Sequence, residues 1–142
     1  MSAIITILII EDEMPLALLM VNLLSRAGCE VEVATTAKKG MLLVEEGNFD
    51  LITLDVDLPD TSGFQVCREL KQRHHSRHTP IVFVSGRSCL EDQQHGLELG
   101  AVDYIEKPFS SLDFASRILS HIKARETQEK AIPRVIKLGN LR

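Results

Sequence analysis

Short apolar runs rich in β-branched residues alternate along the chain with amphipathic stretches at helical spacing. Residues 4–10 are nearly all β-branched or Leu and read as a buried strand. Pro15 stands where a first helical turn begins, which it tolerates because that amide needs no partner. Leu16, Leu19, Met20, Leu23 and Leu24 follow on one helical face, and Gly28 is placed to end that helix. Glu30–Ala34 alternates polar and apolar positions, as an edge strand does, and Ala37–Glu46 reads as a helix stopped by Gly47. Leu51–Leu54 is a third strand, and Pro59, Asp60, Ser62 and Gly63 mark the loop after it. Phe64, Val66, Cys67 and Leu70 give another helical face, and Pro80 precedes a fourth strand over residues 81–84. Residues 90–99 read as a helix stopped by Gly100, and residues 102–105 as a short fifth strand. Ser110 or Ser111 is placed to cap a last helix carrying Leu112, Ala115, Ile118, Leu119 and Ile122 on one face.

Five strand–helix units of this kind predict an α/β domain whose parallel sheet is covered on both faces. Right-handed crossovers leave few ways to wind it. Residues 1–123 form this domain. The character changes over residues 124–142, which are expected as a linker or tail: residues 123–131 are polar and charged, Ile132-Pro133 interrupts them, and Val135, Ile136 and Leu138 look like the start of a further element.

A chain of 142 residues is long enough for one proper core, and 44% hydrophobic with 25% charged residues is ordinary for a soluble globular protein. The net charge of −4 gives no overall footprint for nucleic acid. Cys29, Cys67 and Cys89 are odd in number and widely separated, which argues against a disulfide framework or structural zinc and for a reducing, cytoplasmic setting. The first apolar run has no basic residue before it and ends in Glu11-Asp12-Glu13, so it reads as neither signal peptide nor membrane span. His74, His75 and His78 have no Cys or acidic neighbour at ligand spacing and read as a solvated loop.

In an open parallel sheet, ligands gather at the carboxyl ends of the strands. Here those ends deliver Glu11, Asp12 and Glu13, then Asp55 with Asp57 two residues on, then Ser85, then Glu106 and Lys107. Carboxylates brought this close repel unless a cation intervenes, and a hard divalent ion such as Mg²⁺ takes such oxygen ligands. A carboxylate held rigidly at a strand end is also a nucleophile able to form an aspartyl phosphate. Glu11-Asp12-Glu13 in isolation equally fits a solvated helix start. The coincidence of these positions at matching strand ends makes the chemical reading.

The motifs Ile-Leu-Ile-Ile-Glu-Asp-Glu (7–13), Leu-Asp-Val-Asp-Leu-Pro (54–59), Pro-Ile-Val-Phe-Val-Ser-Gly (80–86) and Gly-Ala-Val-Asp-Tyr-Ile-Glu-Lys-Pro-Phe (100–109) occur in order over about residues 4–122. With them the chain resembles the receiver (phosphoacceptor) domain of bacterial two-component response regulators. The resemblance implies a flavodoxin-like, doubly wound (βα)5 fold with strand order 2-1-3-4-5. It implies Asp55 as phosphoacceptor, with Mg²⁺ held by Asp12, Glu11, Asp55 and the backbone carbonyl of Asp57. It also implies Lys107 paired with the phosphoryl group, a cis Lys107–Pro108 bond, Ser85 as the switch hydroxyl that follows the phosphoryl group, and Tyr104 as the aromatic switch residue that turns inward when Ser85 moves. A sensor histidine kinase is the implied partner, and the surface of the fourth helix, fifth strand and fifth helix is the implied output face and homodimer contact.

Asp57 and Arg87 stand where this family tunes the lifetime of the phosphoryl group, and the two side chains are expected to pair across the mouth of the site. Residues 135–142 (Val-Ile-Lys-Leu-Gly-Asn-Leu-Arg) resemble the opening strand of a winged-helix output domain, so DNA enters only through such a domain. Asp103, Asp113 and Arg117 fit charged positions of that subfamily's dimer face, whereas Val102, Gln93 and His121 depart from it. Two other readings compete. Asp55-x-Asp57 is similar to the nucleophile motif of haloacid-dehalogenase phosphatases, although there the nucleophile strand comes first. The other is a receiver-like interaction module that never takes phosphate.

Overall fold

A computed structural model of the chain describes residues 3–139, with side chains described through Gln128. Its elements run β1 (Thr6–Ile10), α1 (Met14–Arg26), β2 (Glu30–Ala34), α2 (Ala37–Glu46), β3 (Leu51–Leu54), α3 (Gly63–Gln72), β4 (Ile81–Ser85), α4 (Leu90–Glu98), β5 (Asp103–Glu106) and α5 (Ser111–Gly139). The strands form one parallel sheet in the order β2-β1-β3-β4-β5. The expected flavodoxin-like winding is the one observed.

Side-chain alternation along each strand splits the core into two layers. Leu8, Ile10, Ile52, Leu54 and Phe83 point to one face, where they meet Val66 and Leu70 of α3 and Val44 of α2. Ile7, Ile9, Leu51, Val82 and Val84 point to the other, against Met20 and Leu24 of α1 and Phe114 and Ile118 of α5. Strands buried on both faces need continuous apolar runs, which β1, β3 and β4 supply. Edge strand β2 instead leaves Glu30 and Glu32 exposed.

Local chemistry sets the ends. The Thr36 hydroxyl accepts from the Lys39 amide (3.1 Å) to cap α2, and the Ser62 hydroxyl accepts from Phe64 (3.1 Å) to cap α3. Gly28 and Gly100 adopt φ of +96° and +108°, as helix-ending glycines do, and their amides reach back to Ser25 and Leu97. His74, His75 and His78 lie exposed in the loop before β4, with only the His75 ring reaching a partner, the Gly47 carbonyl at 2.8 Å. Cys29 and Cys67 are buried and Cys89 exposed, all three free. Among the described residues, no helix is long and apolar enough to cross a membrane.

Several boundaries differ from expectation, with β4 running one residue longer, to Ser85, and α4 ending one residue sooner, at Glu98. β1 begins at Thr6 because its partner strand begins at Glu30, so Ile4 has nothing to pair with and stays exposed. β5 is shifted one residue, to Asp103–Glu106, by its register with Val82–Ser85. The polar stretch 123–131, expected as a linker, continues α5. Lys, Ala, Arg, Glu and Gln dominate it, and polarity alone does not lower their helix propensity. The strand expected near residue 135 is likewise helical through Gly139, and residues 140–142 lie outside the described residues.

Gly63 shows how tightly α3 abuts the end of β3. Its amide donates to the Val56 carbonyl at 2.7 Å, and a Cβ there would run into the Asp55 carbonyl oxygen. Backbone cannot yield as a side-chain tip can, so Gly63→Ala should destabilise the fold by about 1–3 kcal/mol. The urea midpoint should fall accordingly with little change in the m-value.

Candidate functional site

The carboxyl ends of β1, β3 and β5 are each carried past the last paired residue by one more backbone bond. The Glu11 amide donates to Ala34 (2.9 Å), the Asp55 amide to Ile10 (3.1 Å) and the Lys107 amide to Ser85 (2.9 Å). These bonds bring the acidic end of β1, the end of β3 and the segment after β5 to one rim. The Lys107–Pro108 peptide is cis, as expected.

At the rim the Lys107 ammonium lies 3.0 Å from Asp55 Oδ2, 2.9 Å from Glu11 Oε1 and 3.1 Å from Glu13 Oε1. Glu11 and Asp55 are 1% and 4% exposed, so these are pairs in a poorly solvated setting. The other oxygens are held locally: the Glu13 amide donates to Glu11 Oε2 (3.1 Å) and the Asp57 amide to Asp55 Oδ1 (3.3 Å). Burial pushes the Glu11 carboxyl up to about 7 against the opposing pull of Lys107. The Lys107 ammonium is raised: burial works against its charge, but the bonds to Glu11 and Asp55 outweigh it.

Glu11, Asp12 and Asp55 each present an oxygen within 4.8 Å of the others. This all-oxygen donor set, with Asp12 exposed at its open side, fits a hard divalent cation. Asp12 shares a cleft with Asp57 and Arg87.

Asp57 and Arg87 meet across the mouth as expected. Arg87 Nε lies 3.0 Å from both Asp57 oxygens, and Nη2 lies 2.8 Å from Oδ1. The Ser85 hydroxyl is buried and accepts from the Arg87 amide (3.2 Å). Tyr104 is turned inward, and its hydroxyl donates to the Arg87 carbonyl at 2.6 Å. Burial raises its phenol.

Two participants escaped the sequence reading. Glu13 was legible as part of an acidic run, but its contact with Lys107 was not. Asp60, read only as a loop residue, accepts from the Ala37 and Lys38 amides (both 2.9 Å) and so ties the loop after β3 to the start of α2. A cap supplied from more than twenty residues away leaves no local signal. On the face of α4, β5 and α5, Asp103 pairs with Arg117 (2.7 Å) and with His121 (2.9 Å) of its own chain. His121, expected as a departure, is therefore a second partner of Asp103. Burial opposes the Asp103 charge, but hydrogen bonds from His121, Arg117 and the Tyr104 amide hold its carboxyl below the usual range.

The family model for the response regulator receiver domain matches residues 7–119. Transcriptional regulatory protein DltR of Streptococcus agalactiae is 35% identical over 137 residues, covering 96% of this chain and 58% of the relative. A probable cyclic di-GMP phosphodiesterase of Vibrio cholerae is 33% identical over 124 residues, covering 87% of this chain and 28% of the relative. The chain thus spans about half the length of the first relative and less of the second. A CheY-like receiver domain from Methanospirillum hungatei superposes with a TM-score of 0.83 at 28% identity, covering 89% of this chain and 99% of that one.

A carboxyl whose folded pKa is raised stabilises the fold fully below its unfolded pKa and loses that contribution as pH rises through the folded one. With Glu11 near 7, stability in EDTA should fall as pH rises from about 4.5 to 7. Glu11→Gln should flatten that slope and leave the variant more stable than the parent at alkaline pH, as read by urea midpoints across the range.

Proposed function

The chain belongs to the response regulator receiver domain family, and from that premise we propose that it accepts a phosphoryl group on Asp55 from a sensor histidine kinase and switches its α4-β5-α5 surface in response. The observation carrying this reading is the Asp55 carboxylate, 4% exposed, with the Lys107 ammonium 3.0 Å from one oxygen and the Glu11 and Asp12 carboxylates beside it. Order in the chain, with the acidic pair preceding Asp55, sets the haloacid-dehalogenase alternative aside.

Lys107 restrains Oδ2, and Oδ1, held only by the longer bond from the Asp57 amide, attacks phosphorus. A P–O bond forms to Asp55 as the P–N bond to the donor imidazole breaks, and the leaving ring keeps the electron pair and takes up a proton. Lys107 then exchanges its pairs with Glu11 and Glu13 for the new phosphoryl oxygens, and the Ser85 hydroxyl leaves the Arg87 amide to do the same. Asp12, Glu11, Asp55 and the Asp57 carbonyl would hold Mg²⁺, which when bound neutralises charge on the phosphoryl oxygens. No external substrate is turned over. The role is regulatory, and a cytoplasmic location suits a kinase partner.

Residues 1–123 serve as the receiver unit, and residues 124–142 lead toward an output domain. Relatives of the DltR kind favour transcription as that output, with DNA bound by the output domain and the α4-β5-α5 face pairing two copies. The self-pairing of Asp103 with Arg117 supports a face whose charges rearrange on dimerisation.

Incubation with Mg²⁺ and acetyl phosphate should add one phosphoryl group by intact mass to the parent chain, none to Asp55→Asn, and none in EDTA. A folded parent that binds Mg²⁺ but forms neither this adduct nor a beryllofluoride complex would instead be a silent interaction module.

Asp57→Ala keeps the backbone carbonyl and removes only the partner of Arg87. It should therefore change the dephosphorylation rate more than the Mg²⁺ affinity. Equal effects on both would sink a tuning role for the pair.

A further inference from the structure

Arg87 is the crossing point of two networks. Its guanidinium holds Asp57 in a forked pair, with Asp92 of α4 at 3.9 Å on the other side. Its backbone holds the switch residues, because the amide donates to the Ser85 hydroxyl and the carbonyl accepts from the Tyr104 hydroxyl. Asp92 also accepts from the Cys89 thiol at 3.1 Å, so the loop from Ser85 into α4 is laced around this one residue.

The pocket receiving the phenol is shaped for it. The Tyr104 ring lies 5.8 Å from Phe83, and both rings pack against Gly96, where a Cβ would come within 2.9 Å of Phe83 and 3.3 Å of Tyr104. Tyr104 is 7% exposed, with its hydroxyl on the Arg87 carbonyl.

We propose that the Asp57–Arg87 ion pair is a latch that favours the inward setting of Tyr104, making Asp57 a positioning residue for the switch. Fixing the Arg87 side chain fixes the path of its backbone, and the carbonyl on that backbone is the acceptor the phenol needs. A forked pair restrains the loop in a way that a single-point contact does not. Both partners are about half exposed or more, so the bias is modest, about two- to fivefold in the inward–outward equilibrium. This regulation rests on the phosphoacceptor reading above, while the latch itself is a property of the unphosphorylated chain.

The sequence makes the test clean, because Tyr104 is its only tyrosine and there is no tryptophan. Ring-¹³C tyrosine labelling gives one signal. Asp57→Asn is the deciding variant, being isosteric and remote from the phenol, and Arg87→Gln is the companion.

In EDTA, the Tyr104 signal of both variants should move toward its position in the urea-unfolded chain, matching a two- to fivefold rise in outward population. Mg²⁺ with beryllofluoride should bring it back, so the shift on loading is larger in Asp57→Asn than in the parent. A signal in Asp57→Asn coincident with the parent's in EDTA overturns the latch, even if the chain takes up a phosphoryl group normally. A signal that shifts in EDTA but ignores Mg²⁺ and beryllofluoride, in a chain that acetyl phosphate never modifies, leaves the latch standing and removes the phosphoacceptor reading. Should Arg87→Gln fail to fold, Asp57→Asn alone decides.

Discussion

Three amide–carbonyl bonds at the carboxyl edge of the sheet, from Glu11 to Ala34, Asp55 to Ile10 and Lys107 to Ser85, fix everything that happens above it. Each extends a parallel ladder beyond the last paired residue. The side chains that follow therefore inherit the rigidity of strands buried on both faces. Loops of this length would otherwise scatter four carboxylates and an ammonium over many arrangements, and their mutual repulsion would drive the carboxylates apart. The ladder removes that freedom, and the cost falls on the charges it crowds together.

Lys107 meets most of that cost. Its ammonium touches Glu11, Asp55 and Glu13 at about hydrogen-bond distance, and burial makes each contact stronger than it would be in water. Glu11 nevertheless sits in so dry a place that its proton is held to about pH 7. A site with more acid than one lysine can balance suits a divalent cation.

On the other side of the rim, packing is looser. Among the residues of α4 only Gly96 is buried, where the helix meets Phe83 and Tyr104, while the His95 ring packs edge-on against Phe64. An element with so little buried apolar surface opens at lower free energy than α3 or α1, which bury several side chains each. Ser85, Arg87 and Tyr104 lie where this less buried helix meets the rim. Asp60 does the opposite on the far side, stapling the loop after β3 to α2 so that the acidic end of the site stays put.

Much of this was written in the chain order. Runs such as Leu51–Leu54 and 81–84 can only be strands buried on both faces, and the alternation in Glu30–Ala34 marks an edge. The acids, the serine and the lysine follow strands, so a parallel sheet must collect them at one end. That is why the gathering of Asp55, Asp12 and Lys107 at one rim, and the pairing of Asp57 with Arg87 across it, were legible in the sequence. The polar continuation of α5 was not, because hydrophilic helix formers carry no apolar stripe to distinguish helix from linker. Nor were the reach of Glu13 to Lys107, the cap from Asp60, the pairing of Asp103 with His121, or the inward setting of Tyr104. Sequence fixes which residue types stand at which element ends, since backbone periodicity is local. Which side chains touch across elements depends on register, packing and competition for one cation, and those are settled only when the whole sheet is assembled.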